Sequence, residues 1–177
     1  MPLFQSKVIG IYGVSGCGKS YELDRIQNIR PEWRCLDGSS ILRETVEEHG
    51  YSWSDFQKMN ETEKGEFRQD ATRKIRAYQG VTLIAGHACF PRGAEFVNVF
   101  TEADGTAYDN ILLMADKSPS KIAENRRNDG NRERPDLSEE AIAQWVDHER
   151  DVLEEKCEEF GISACGCFAV GWHTART

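Results

Sequence analysis

The stretch GVSGCGKS, residues 13–20, sets three glycines, a lysine and a serine in the spacing G-x-x-x-x-G-K-S. Gly13, Gly16 and Gly18 allow backbone N–H groups to converge on an anion without side-chain obstruction. Lys19 would then reach the β- and γ-phosphates of a nucleotide, and the Ser20 hydroxyl would ligate magnesium. Ser15 and Cys17 belong to the same cradle. A chance glycine-rich turn is the bland alternative. It is disfavoured because the apolar run KVIGIY precedes the motif and helical spacing follows it. A second concentration of chemistry lies in NRRNDGNRERPD, where Arg126, Arg127, Arg132 and Arg134 fall within nine positions. A solvated helix end would also collect arginines. As a clamp on a moving phosphoryl group they would supply the positive charge that such a reaction needs.

These groups need elements to position them. KVIGIY is short, apolar and β-branched, as suits a strand covered on both faces. Leu23, Ile26 and Ile29 recur at helical spacing until Pro31, giving strand, loop, helix. WRCL is a second strand, ending at DGSS, whose serines can cap the helix ILRETVEEHG. Two further helices follow, SWSDFQKM and ETEKGEFRQDATRKIRAYQ. The second carries Phe67, Ala71, Ile75 and Tyr78 on one face. VTLIAG and NILLMAD are the third and fourth buried strands. Between them PRGAEFVNVFTEADGTAY stays open, its DG dipeptide suiting a hairpin and the rest a loop with a short helix. SPSKIAENRR starts with serine and proline as helices do. LSEEAIAQWVDHERDVLEEKCEEF is a long amphipathic helix, ISACGCFAV a fifth strand and GWHTART a tail. Alternation of this kind makes an α/β fold with a parallel sheet, whose ligands bind outside the carboxyl ends of the strands.

Bulk properties narrow the classes. The 177 residues suit one domain, 1–177, and the formal net charge of −8 opposes unspecific binding to nucleic acid or anionic lipid. No stretch has the roughly 20 apolar residues of a membrane span, and the start lacks a signal-peptide core. A cytoplasmic location is expected, with the six cysteines as free thiols. Cys165 and Cys167, with His173 beyond, could form half of a metal site, but the paired C-x-x-C spacing is missing.

The phosphate loop, the helical insertion after strand two, the GH after strand three and the arginine-rich segment before a long acidic helix together resemble the nucleoside monophosphate kinases, in particular archaeal-type adenylate kinases. The similarity runs from about Val8 to Val170. It implies a three-layer P-loop fold with a five-stranded parallel sheet in the order 2-3-1-4-5 and helices on both faces. It further implies ATP and Mg2+ as cofactors, residues 39–79 as the acceptor-binding insertion and residues 126–137 as a short lid. On this resemblance Ser39, Arg43, Arg68 and Arg73 would bind the acceptor. Arg127, Arg132 and Arg134 would touch the transferring phosphate, Arg127 stacking on adenine as well, with Asp129 orienting them. His87 matches a histidine that follows strand three in those enzymes, although such a histidine is often only a structural hydrogen-bond partner. One departure stands out: where the family's third strand ends in a magnesium-shell aspartate, this chain has Ala85 and Gly86. Asp37, after strand two, and Asp116, after strand four, are the substitutes; Asp37 could equally be a helix cap.

Three functions follow. Foremost is ATP-dependent phosphoryl transfer to a nucleoside monophosphate, AMP being the single best candidate. An acceptor phosphate is already anionic, so it needs no strong base. The second is a kinase acting on a hydroxyl of a metabolite or polynucleotide end, with Asp37 or His87 as the base. The third is an ATP-binding regulator or ATPase without an acceptor. Oligomeric state is not fixed by the sequence.

Overall fold

The computed structural model describes residues 6–130 and 135–165. Its first strand, β1 (Lys7–Tyr12), leads through the glycine loop into helix α1 (Lys19–Ile29). Strand β2 (Arg34–Asp37) is followed by three helices, α2 (Gly38–Glu48), α3 (Trp53–Lys58) and α4 (Glu61–Arg76). Next come β3 (Val81–Gly86), the strands β4 (Cys89–Arg92) and β5 (Glu95–Asn98), and the short helix α5 (Glu102–Ala107). Strand β6 (Asn110–Leu113), helices α6 (Pro119–Asn128) and α7 (Glu139–Phe160) and strand β7 (Ser163–Cys165) complete the described elements.

The main sheet runs β2-β3-β1-β6-β7 with every pairing parallel, while β4 and β5 form a separate antiparallel ribbon. Side chains alternate across each strand, so β1 sends Val8 and Tyr12 to one face and Ile9 and Ile11 to the other. The first face packs with Ile84 and Ile111 against Ile41 of α2 and Ala71 and Ile75 of α4. The second packs with Leu83 and Ala85 against Leu23 of α1 and Ile122 of α6. Helix α7 serves both clusters: Ile142 and Trp145 join the second, Val152, Leu153 and Cys157 the first. At the crossing point Glu149 is fully buried, and Trp145 Nε1 donates to the Cys89 carbonyl at 3.1 Å.

Three local readings are corrected or settled. The DG dipeptide does not turn a hairpin; Asp104 and Gly105 lie inside α5, because Thr101 and Asp104 form a capping box that starts that helix. The ribbon turns instead at Gly93, whose φ of 64° suits glycine. Helix α2 is capped by Asp37, not by the serines: the Asp37 carboxylate accepts from Ser39 N at 2.8 Å. Ile29, expected on the apolar face of α1, is 66% exposed. Cys167, His173 and the tail lie outside the described residues, as do Arg132 and Arg134. Among the described residues no group of three or more metal-ligating side chains occurs, and no helix is long and apolar enough to cross a membrane.

Candidate active site

The loop after β1 carries its chemistry at the carboxyl edge of the sheet, beside the ends of β3 and β2. Gly13, Gly16 and Gly18 have φ of 148°, 97° and 105°, values that L side chains rarely adopt. Gly18 is the N-cap of α1, so the first N–H groups of that helix open onto the loop. Lys19 follows and is only 8% exposed; its ammonium donates to the Gly13 carbonyl and, at 3.3 Å, to the Val14 carbonyl. The lysine thus bends back across its own loop. Cys17 is buried beneath, its Sγ 3.9 Å from Lys19 Nζ.

A cleft of about 590 Å3 extends from this loop across the sheet edge. Lys19, Ser20, Asp37, Ser39, Arg68 and His87 all line it. Asp37 ends β2 opposite Ala85 of β3, so the end of β3 lies between it and the glycine loop. Its carboxylate also accepts from Ser39 Oγ at 2.6 Å. Ser20 and Asp37 are two hard oxygen donors facing one cleft, which fits Mg2+, an ion that takes one or two protein ligands beside phosphates and water. Asp116 is exposed and is not among the lining residues.

The side of the cleft formed by α2, α4 and β3 is mostly apolar. Leu42, Ala71, Ile75 and Ile84 form its walls, and Thr72 and Asp104 its polar floor. Asp104 is buried, which pushes its pKa up against the hydrogen bonds from Thr101 and Thr72 that favour the ionised form. Arg68 brings a guanidinium to this side and is paired with Glu61 at 3.2 Å. Burial works to raise the Glu61 pKa, but Arg68 and Lys64 outweigh it and hold the carboxylate below its usual range. Arg43 and Arg73 do not reach the cleft lining. Arg43 lies over the Trp53 ring, 4.6 Å from its centroid, and exposed Arg73 pairs with Asp70 at 2.5 Å. His87 forms a wall by its rings' contacts, 4.7 Å from Phe90 and 6.0 Å from Trp145 between centroids.

Residues 12–143 match the AAA domain family. The chain belongs to that family. No curated protein matches this AAA-domain chain in sequence. Among solved structures it is similar to shikimate kinase from Acinetobacter baumannii in complex with shikimate, with a TM-score of 0.57 and 14% identity over 93% of this chain and 85% of that one. It is also similar to shikimate kinase from Bacteroides thetaiotaomicron, with a TM-score of 0.55 and 13% identity over 93% and 89% of the two chains. At such identities the likeness is one of fold: a P-loop α/β fold that these kinases share. It does not single out the archaeal adenylate kinases.

Two groups of residues at the AAA-domain site were not anticipated. One is Glu149, which accepts from Ala88 N and Cys89 N at 2.9 Å each and from the Cys89 thiol at 3.2 Å, fixing the turn that carries His87. The signal for it was present: a carboxylate four residues after Trp145, on the apolar stripe of an amphipathic helix. The other comprises Lys117 and Asn125, which together with Arg126 donate to carbonyls of the glycine loop. Arg126 is thereby no open lid arginine; it is 9% exposed, donates to Ser15 O and Pro135 O, and lies 5.5 Å from the Trp145 ring centroid. Arg127 is exposed and does not line the cleft, whereas Asn128 and Asp129 do.

Proposed function

We propose that the protein is a kinase that moves the γ-phosphoryl group of Mg-ATP to a small-molecule acceptor, and that the accepting atom is a hydroxyl oxygen. One observation carries this reading. Asp37 faces the same cleft as Lys19 and Ser20, while two of the three insertion arginines expected to hold an acceptor phosphate, Arg43 and Arg73, are engaged elsewhere. The fold likeness to kinases of shikimate is compatible with a small-molecule acceptor.

The reaction needs two things from the protein, charge neutralisation at the moving group and removal of the acceptor's proton. Lys19, released from the Gly13 and Val14 carbonyls, would bind the β- and γ-phosphate oxygens. Ser20 would hold the magnesium, which when bound supplies positive charge to the phosphates; Asp37, on the same cleft, is the oxygen donor left for the acceptor. Asp37 would take the hydroxyl proton as the oxygen attacks in line. His87, Ser39 and the apolar walls would orient the acceptor, and Arg68 would meet any anionic group it bears. Arg127, Arg132 and Arg134 would close over the transferring phosphate.

Arg68 favours one second reading. A guanidinium on the acceptor side is what a nucleoside monophosphate, AMP foremost, would require. Acceptor-stimulated ADP release separates the possibilities. Under the first reading a hydroxylated non-nucleotide stimulates most, and Asp37→Asn lowers that rate by about 10^2- to 10^4-fold while Mg-ADP still binds. Stimulation by AMP alone, insensitive to Asp37→Asn, would favour the second. Slow hydrolysis that no acceptor alters would favour an ATP-binding regulator.

A further inference from the structure

Three consecutive carbonyls of the glycine loop accept hydrogen bonds from one stretch of chain, the end of the β6–α6 connection and α6 itself. Arg126 Nη1 reaches Ser15 O at 3.4 Å, Asn125 Nδ2 reaches Gly16 O at 2.9 Å, and Lys117 Nζ reaches Cys17 O at 2.7 Å. None of the described peptide bonds is cis, so each carbonyl points opposite to the N–H of the next residue. Drawing the three oxygens toward these donors turns the N–H groups of Gly16 and Gly18 away from them. The N–H between, that of Cys17, closes a turn onto Val14 O at 3.2 Å. The segment therefore acts as an external brace for an anion-binding concavity.

Lys117 differs from the other two donors because its donor is a full, compact charge that also lines the cleft with Lys19 and Ser20. It is packed so closely on the loop that a Cβ at Gly18 would collide with its ammonium. Gly18 is the N-cap of α1, where nucleotide phosphates would meet helix N–H groups. From these observations we infer that Lys117 is a second lysine of the nucleotide-phosphate site, braced on Cys17 O and placed to attract the β-phosphate region electrostatically. The inference rests on the nucleotide-binding reading and extends it to a residue outside the glycine motif. In a chain of formal net charge −8, a second ammonium beside Lys19 offsets the repulsion that a polyanionic ligand would otherwise meet.

Calorimetric titration with Mg-ADP at several salt concentrations tests it, using the full chain and the variants Lys117→Gln, Lys117→Arg and Lys121→Gln. Glutamine keeps a donor for Cys17 O without the charge, and arginine keeps the charge. Lys121 is exposed, paired with Glu124 at 2.8 Å, and away from the cleft. The expected result is about a 10-fold weaker affinity for Lys117→Gln at low salt, a deficit that shrinks as salt rises. Lys117→Arg should bind like the parent and Lys121→Gln should be unchanged. Affinity of Lys117→Gln within about twofold of the parent would overturn the inference, as would equal, salt-independent losses in the glutamine and arginine variants. A parent chain that does not bind Mg-ADP would overturn the nucleotide reading itself, and this inference with it.

Discussion

Lys19 and Glu149 are both withdrawn from water, and Glu149 fixes the turn that carries His87. Burial pushes the Glu149 pKa up; the hydrogen bond from Ala88 N and the charge of Lys19 pull the other way without cancelling it. The sign of the stability effect follows from linkage. A carboxyl whose folded pKa is raised binds more protons in the native state, so stability is greatest below the unfolded value near 4.3 and is lost as pH rises through the folded value. Glutamine does not titrate. Unfolding of the parent and of Glu149→Gln, followed from pH 4 upward, should therefore show the variant gaining on the parent as pH rises, then a constant difference. A difference independent of pH would mean that Glu149 is not held protonated above its ordinary range. His87 depends on the same turn, so a residue lining the cleft is positioned by a carboxylate from a distant helix.

At the scale of elements, α6 is built onto the glycine loop. A methyl group at Gly16 would lie 2.7 Å from Arg126 Cγ and 3.0 Å from the Ile122 carbonyl, at a φ of 97°. Gly16→Ala should destabilise the protein by roughly 1–3 kcal/mol and weaken Mg-ADP binding together with it. Gly65, inside α4 with nothing within 4 Å of its added Cβ, is the counter-case. There alanine should raise stability by about 0.5–1 kcal/mol, and thermal unfolding of the two variants checks both. Elements whose signal is local were legible in the sequence: β1 and β3 begin and end where their apolar runs do, and the glycine spacing marked the loop between β1 and α1. The β4–β5 ribbon was not, because Pro91 breaks its pattern and the DG dipeptide imitates a turn. The competing signal, Thr101 three residues before Asp104, was the one the chain obeys. The family resemblance named Arg43 and Arg73 by their place in the insertion, which does not show that Trp53 and Asp70 lie within their reach.

For the whole molecule, the parallel order β2-β3-β1-β6-β7 brings the ends of β1, β2, β3 and β6 to one edge. Four groups far apart in sequence, the glycine loop, Asp37, His87 and Lys117, thereby line one cleft. That convergence could be anticipated from the rule that α/β ligands bind at the carboxyl edge, which is why Asp37 was identifiable from its place after a strand. Lys117 follows β6 in the same way and was passed over because no motif contains it. What topology alone does not decide is the acceptor, since that depends on the shape of the apolar side and the few polar groups on its floor. The chemistry of the product does decide it. Phosphorus NMR of a reaction containing the protein, Mg-ATP and a mixture of hydroxylated metabolites and nucleoside monophosphates distinguishes a phosphate monoester, a phosphoanhydride and inorganic phosphate. The account predicts a new monoester resonance growing in step with ADP and absent with Asp37→Asn. Growth of nucleoside diphosphate with no new monoester, whether or not inorganic phosphate accompanies it, would contradict it.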